Sequence, residues 1–128
     1  MLYRLEIPGD LPTLNEYINA ERIHRMKAAK LKADTQKYIR SFLIGAPHFE
    51  GHVFIYFTWI RSNKRCDKDN VEFAKKFILD ALQESEVIEG DSWKLCTPFT
   101  RGYDFSKNDP KTIVIISTGR IETYEDHS

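Results

Sequence analysis

The stretch HVFIYFTWI, residues 52–60, is the longest run of strand-forming residues in the chain. Each residue from Val53 to Trp59 is β-branched or aromatic, and such side chains suit a pleated, half-buried surface. A polar segment, residues 61–68, separates this run from residues 69–84, in which apolar side chains recur at helical spacing. The sequence therefore predicts a strand, a loop and a helix in succession, and this unit organises the rest of the fold.

The segments on either side of this unit predict a single α+β domain. A strand at the start of the chain is stopped by Pro8 and Gly9, and a long helix is ended by Gly45 and Pro47. The remaining predicted segments are a strand at 1–7, a loop at 10–19, a helix at 20–44, a loop at 87–92, and a β-hairpin with arms at 93–103 and 112–118 and a turn at 106–110. The order βαβαββ predicts a mixed β-sheet with two main helices in one domain over residues 1–128.

The composition predicts a folded protein that acts away from membranes. Hydrophobic residues make up 41% of the chain, and no apolar run approaches the roughly 20 residues that span a bilayer. The N-terminus lacks the pattern of a signal peptide, so we expect a cytoplasmic protein. Cys66 and Cys96 form neither a disulfide framework nor a Cys-x-x-Cys pair, so we expect two reduced thiols and no structural zinc.

The charges cancel over the whole chain but are unevenly distributed. There are 19 basic and 19 acidic residues, yet residues 22–40 carry seven Lys or Arg against one acid, Asp34. Acids concentrate in residues 84–91 and 122–126. A second basic cluster contains Arg61, Lys64, Arg65 and Lys68. A phosphate backbone responds to such local patches rather than to net charge, which favours a nucleic-acid partner. A solvated helix face is the alternative for residues 22–40.

Two carboxylates stand two residues apart where the predicted strand gives way to the helix, in Asp67-Lys68-Asp69-Asn70. Mg²⁺ favours a few carboxylates together with retained waters, so this pair predicts a magnesium site. Asp69 as the N-cap of the helix is the alternative. An EF-hand loop is excluded, because Glu72 and Ile78 stand where Gly and Glu are required. A nucleotide-sugar transferase would need a further domain.

The predicted helix 69–84 adds a lysine to these acids. At about 100° per residue, Asp69, Lys76 and Asp80 fall within about 20° of one direction, whereas Lys75 lies at the edge of the apolar arc. Lys76 could stabilise a phosphate undergoing cleavage, or could form an ion pair with Asp80. After the helix, a bend at Gly90 could return Asp91 towards the first two carboxylates, although Asp91 could equally be an ordinary turn residue.

Four segments of the chain resemble the RusA family of Holliday junction resolvases. That family has an Asp-x-Asp-Asn motif, a Lys ahead of Leu-Asp-Ala-Leu, an acidic turn after the helix, and an opening Pro-x-x-Asn-x-x-Tyr. The resemblance covers residues 5–95. The similar segments here are Arg65-Cys66-Asp67-Lys68-Asp69-Asn70, Lys76-Phe77-Ile78-Leu79-Asp80-Ala81-Leu82, Gly90-Asp91-Ser92-Trp93 and Pro12-Thr13-Leu14-Asn15-Glu16-Tyr17. In the last of these, one residue rather than two stands between Asn15 and Tyr17.

The resemblance implies a crossover junction endodeoxyribonuclease that acts as a homodimer on four-way DNA junctions in recombination and repair. It would use Mg²⁺, with Mn²⁺ as a substitute, and no organic cofactor. By position, Asp67, Asp69 and Asp91 match the metal-binding catalytic acids and Lys76 the essential lysine. The segment between Asn70 and Lys76 is about three residues longer than in the family pattern, which leaves Lys75 as a competitor.

Further residues enter as expectations from the resemblance and from the charge pattern. Glu89 could replace the first acid of the family's acidic turn. A bacterial source, or a phage or prophage one, is in keeping with the resemblance. Two alternatives stay open: a catalytically inactive DNA-binding or scaffolding dimer, and a nuclease for other branched DNA. The expected DNA-binding residues are Asn15, Arg22, Arg25, Lys64, Arg65 and Lys75.

Overall fold

The computed structural model describes residues 1–121, so the predicted acidic segment at 122–126 and the end of the predicted domain lie outside the described residues. The strands alternate with pairs of helices in the first part of the chain, and two strands end it. The elements are β1 (Leu2–Pro8), α1 (Leu14–Ile23), α2 (Arg25–Ser41), β2 (Val53–Arg61), α3 (Lys68–Glu72), α4 (Ala74–Glu84), β3 (Cys96–Phe105) and β4 (Lys111–Ser117).

The four strands form one mixed sheet in the order β1-β4-β2-β3. The strand β4 is antiparallel to both β1 and β2, whereas β3 is parallel to β2. The predicted α+β class and mixed sheet are therefore confirmed. The predicted hairpin is wrong, because its two arms do not pair with each other. The reason is burial: side chains of β4 are buried on both faces of the sheet, which requires a central strand, whereas β3 is largely exposed and takes the edge.

The single helix predicted over residues 20–44 is wrong as well, because the chain forms two helices there. His24 has extended backbone angles (φ −170°, ψ 138°) between α1 and α2, and its Nδ1 accepts a hydrogen bond from the Met26 backbone N–H at 3.0 Å. The first helix starts inside the predicted loop 10–19. Thr13 and Glu16 form a reciprocal capping box there, a signal that is visible in the sequence as Thr-x-x-Glu.

The helix predicted over residues 69–84 is also divided. Phe73 separates α3 from α4, and the Lys76 backbone N–H bonds to the Phe73 carbonyl at 3.2 Å. A constant step of 100° per residue does not run through this break, so the alignment of Asp69 with Lys76 loses its basis. The apolar stripe of α4 itself is confirmed, since Phe77, Ile78, Ala81 and Leu82 are all buried.

The helices cover one face of the sheet, and the core lies between them. Alternate residues of β2 point into it, among them Phe57 and Trp59, whose rings stack with centroids 5.3 Å apart. The opposite face carries a separate aromatic group in which Tyr56 stacks on Phe99 at 5.2 Å. Within residues 1–121, no helix has the length and apolar character that crossing a membrane requires.

The parallel pairing of β2 with β3 decides where the loops around the predicted site lie. Val53 is paired with Cys96 at one end, and Arg61 is paired with Phe105 at the other. The chain leaves the carboxyl end of β2, passes through α3 and α4, and returns to the amino end to begin β3. Loops before and after this crossover therefore lie at opposite ends of the sheet.

Candidate functional site

The carboxylates of Asp67 and Asp69 lie just beyond the carboxyl end of β2. Asp67, and not Asp69, occupies the N-cap position of α3, and its side chain makes no capping hydrogen bond. Asp69 follows in the first turn, and both side chains are exposed. Within residues 1–121, neither carboxylate has a hydrogen bond or an ion pair. Two unengaged oxygen ligands open to water fit Mg²⁺, which keeps several waters and uses one or two carboxylates plus substrate phosphate.

Asp91 lies at the other end of the sheet. The Cys96 backbone N–H bonds to the Ser92 carbonyl at 2.8 Å, which holds this loop against the start of β3. Burial, and after it the negative charge of Asp91, raises the pKa of the Cys96 thiol to about 11. Since β2 has nine residues, at about 3.3 Å per residue its ends lie about 26 Å apart. The expected return of Asp91 to Asp67 and Asp69 therefore does not occur within one chain.

The remaining acids do not complete a metal site of three ligands. Within the described part of the chain, no three His, Cys, Asp or Glu side chains come together in a group that could hold a metal ion. Glu89, which was expected to replace the first acid of the acidic turn, belongs to the same loop as Asp91. It therefore also lies far from the carboxyl end of β2. Glu72 lies on the helix that carries Asp69, but its carboxylate is engaged by Lys75. The fit to Mg²⁺ thus rests on Asp67 and Asp69.

The two competing lysines face different surroundings. The Lys75 ammonium forms an ion pair with Glu72 at 2.7 Å and lies 5.6 Å from the centre of the Phe57 ring. Its side chain is only 24% exposed, and the ion pair ties it to the helix of the two carboxylates. Lys76 is exposed and lines a different cavity, between α4 and the first two helices. The other residues that line it are Tyr17 of α1, Lys32 of α2, and Phe73 and Phe77 at and after the start of α4. The geometry therefore brings Lys75, rather than Lys76, towards α3.

The ion pair considered for Lys76 and Asp80 is absent from residues 1–121. The Asp80 carboxylate instead accepts a hydrogen bond from the side-chain amide of Gln36 on α2, at 3.3 Å. This contact joins α2 to α4 beneath the basic surface. Asp80 thus acts in packing the helices together.

The basic loop after β2 borders a cavity of about 300 Å³. Lys64 and Lys68 each lie over an aromatic ring of β3. The sequence already grouped these two lysines, whereas only the fold brings the two rings to them. Tyr103 and Phe105 were not among the predicted site residues. Their signal in the sequence is two aromatic residues two positions apart, which share one face of a strand. The cavity is lined by Arg61, Asn63, Lys64, Cys66, Lys68, Val71, Tyr103, Asp104 and Phe105.

The other predicted DNA-binding residues lie on the exposed surfaces of the first two helices. Asn15 is exposed in the first turn of α1, and this helix packs on the junction of α3 and α4 through Tyr17 and Phe73, whose rings are 5.4 Å apart. Arg22 and Arg25 are exposed on either side of the break between α1 and α2. Most of the remaining basic side chains of α2 are exposed too, which gives a cationic helix surface.

The carboxyl end of β2 thus combines two unengaged carboxylates, several cations and two partly exposed aromatic rings. Neither a scan against protein-family models nor a search of curated proteins found a match for this chain. The chemistry that these side chains can perform is binding of a phosphodiester strand next to a divalent cation. Oxygen ligands attract the cation, and the surrounding lysines and arginines attract the phosphates.

Proposed function

We propose that this protein is a Mg²⁺-dependent endonuclease with a RusA-like fold that cuts four-way DNA junctions by paired nicks. One observation carries the proposal: the unengaged carboxylates of Asp67 and Asp69 flank Lys68 in the chain, and Lys68 lines a cavity together with two further cations, Arg61 and Lys64. A protein that only binds phosphate gains nothing from acids beside its cations, because they repel the ligand. A nuclease that recruits a divalent cation needs both.

The roles of the individual side chains follow from their chemistry. Asp67 and Asp69 would hold the cation, which supplies an activated water and neutralises charge on the scissile phosphate. Lys64 and Arg65, exposed in the loop beside them, would hold the flanking phosphates. Lys75 is the better candidate than Lys76 for stabilising charge in the transition state, because its ion pair with Glu72 holds it on the side of α3.

Paired nicking of a junction requires two equivalent sites, and a twofold homodimer supplies them. The same dimer bears on Asp91. Because this residue lies at the opposite end of β2 from Asp67 and Asp69, a contribution of Asp91 to their metal site can come only from a second copy of the chain. The site proposed here needs two carboxylates from one chain, with waters and phosphate oxygens as the remaining ligands.

The test is cleavage of a synthetic four-way junction with and without Mg²⁺. Wild type should nick it symmetrically only when Mg²⁺ is present, and Asp69→Asn should abolish cutting while junction binding in EDTA is retained. Glu50→Gln is a matched control, because Glu50 is an exposed acid in the loop before β2. Cutting by Asp69→Asn at the wild-type rate would refute the metal assignment.

A second candidate is a non-catalytic DNA-binding dimer, which the remoteness of Asp91 favours. Such a protein would bind the junction equally well with and without Mg²⁺ and would leave it intact. Flap, duplex and junction substrates compared in the same assay would distinguish a junction-selective enzyme from a nuclease for other branched DNA.

A further inference from the structure

The edge strand β3 presents two aromatic rings to the cavity beside Asp67 and Asp69. Tyr103 is paired in register with Trp59, and Phe105 is paired with Arg61, so both rings lie on the face of the sheet that the helices cover. The helix layer nevertheless leaves them accessible, with exposed fractions of 37% for Tyr103 and 43% for Phe105. Large aromatic side chains that remain this accessible beside a cavity are typical of binding surfaces.

A cation lies over each of these rings. The Lys68 ammonium is 4.7 Å from the centre of the Tyr103 ring, and the Lys64 ammonium is 5.8 Å from that of Phe105. Neither lysine has an acidic partner within residues 1–121, so both charges are available to an anion. Arg61 is held in the wall by a 2.8 Å hydrogen bond to the Leu11 carbonyl.

The dimensions select the class of ligand. Tyr103 and Phe105 are two positions apart, so their Cα atoms are separated by about 6.6 Å along the strand. Successive bases of a DNA strand are about 3.4 Å apart, so a flat base fits against either ring or between them. A cavity of about 300 Å³ is at the small end of ligand sites, which suits one nucleotide. A simple anion would not need the rings, and an apolar ligand would not need the lysines.

We propose that this cavity binds one unpaired nucleotide of a DNA strand. Its base would stack on Tyr103 and Phe105, and its phosphate would lie between Lys64 and Lys68. Aromatic rings stack on bases of any identity because every base has a flat π face. This site would therefore distinguish unpaired from paired DNA, but not one base from another. The inference rests on the proposed function for its ligand, DNA, but it does not require that the DNA be cut.

The position of Lys68 connects this cavity to the proposed metal site. Lys68 stands between Asp67 and Asp69 in the chain, and its ammonium reaches the Tyr103 ring. A nucleotide held here would be next to the phosphate that lies at the two carboxylates. The cavity would thus select DNA in which a base beside the cleavage site is unpaired, as at the crossover of a branched structure.

Binding measurements in EDTA, where no cutting occurs, test this proposal with single-stranded DNA carrying the fluorescent adenine analogue 2-aminopurine. Phe105→Leu and Tyr103→Leu keep apolar bulk but remove the ring, whereas Phe105→Tyr and Tyr103→Phe keep it. We expect each Leu variant to bind the single strand about 5- to 150-fold more weakly. The ring-retaining variants should bind as wild type does. Stacking should quench 2-aminopurine in wild type, and the Leu variants should not quench it.

Paired DNA and a lysine pair supply the controls. Affinity for fully paired duplex should not change in the Leu variants, because the duplex offers no free base. Lys64→Ala should weaken single-strand binding, whereas Lys107→Ala, which removes an exposed lysine from the turn between β3 and β4, should not. Equal single-strand affinity for ring-lacking and ring-retaining proteins would overturn the proposal. So would an equal loss on duplex, or binding of free dAMP as tight as that of the strand.

The outcome also separates this inference from the proposed function. If wild type cuts no DNA in Mg²⁺ but binds single strands in a ring-dependent manner, the nuclease proposal fails and the nucleotide site stands. If wild type cuts junctions but the Leu variants bind single strands as wild type does, the nucleotide site fails and the nuclease proposal stands.

Discussion

Replacing Asp91 by Asn should barely affect Mg²⁺ binding at the proposed site, although the resemblance to the RusA family implies that Asp91 is a metal ligand. The prediction follows from strand pairing: Asp91 precedes β3 near the amino end of β2, whereas Asp67 and Asp69 lie past its carboxyl end. The carboxylates are separated by most of the length of β2, on the order of 20 Å.

The magnitude follows from Coulomb's law. A divalent cation and a carboxylate about 20 Å apart in water interact by about 0.4 kcal/mol, and a screening length of about 8 Å at physiological salt removes most of this. Asp91→Asn should therefore change the Mg²⁺ dissociation constant by less than about twofold. At about 4 Å and an effective dielectric constant of 20, a divalent cation and a carboxylate interact by about 8 kcal/mol. Asp69→Asn should accordingly weaken binding by at least two orders of magnitude.

Two measurements check this prediction on the same proteins. Isothermal titration with Mg²⁺, or Mn²⁺ binding followed by electron paramagnetic resonance, gives the affinity directly, and junction cleavage as a function of Mg²⁺ gives it functionally. A loss in Asp91→Asn as large as that in Asp69→Asn would refute a site formed within one chain. Mixed dimers of Asp91→Asn with Asp69→Asn would then regain one intact site, because each chain would supply the ligand that the other lacks.

Three further predictions concern the scaffold. Phe77→Ala should lower the free energy of unfolding by about 3–5 kcal/mol in urea titrations, because Phe77 is fully buried against Phe73 and Tyr17. A change below about 1 kcal/mol would contradict the assignment of Phe77 to the core. Thr13→Ala should cost about 1 kcal/mol through loss of the capping box, and Thr13→Ser should restore most of it. The pKa of the buried Cys96 thiol is raised from 9.0 to about 11, so the thiol of the unfolded chain loses its proton at lower pH than that of the folded chain. The free energy of unfolding should therefore fall as the pH rises from 9 to 11. Cys96→Val should remove this contribution to the pH dependence.

Much of the local structure was predictable from residue pattern alone. The run that became β2 consists of residues that suit a strand wherever they occur, and the apolar stripe of α4 has helical spacing. The breaks at His24 and Phe73 were not predicted, because neither residue is a strong helix breaker. The capping box at Thr13 and Glu16 was a readable signal for the start of α1, and the unbroken apolar character of residues 113–116 was a readable signal for a central strand.

The sequence by itself determined the class of the fold, the adjacency of Asp67 and Asp69 and the basic loop beside them, because each depends on neighbours within a few positions. Only the tertiary structure decided which strands pair. That choice depends on how much of each strand can be buried on both faces, which is a property of the whole sheet. It puts β4 in the centre and β3 at the edge, separates Asp91 from the other two carboxylates, and brings Tyr103 and Phe105 to the cavity beside them.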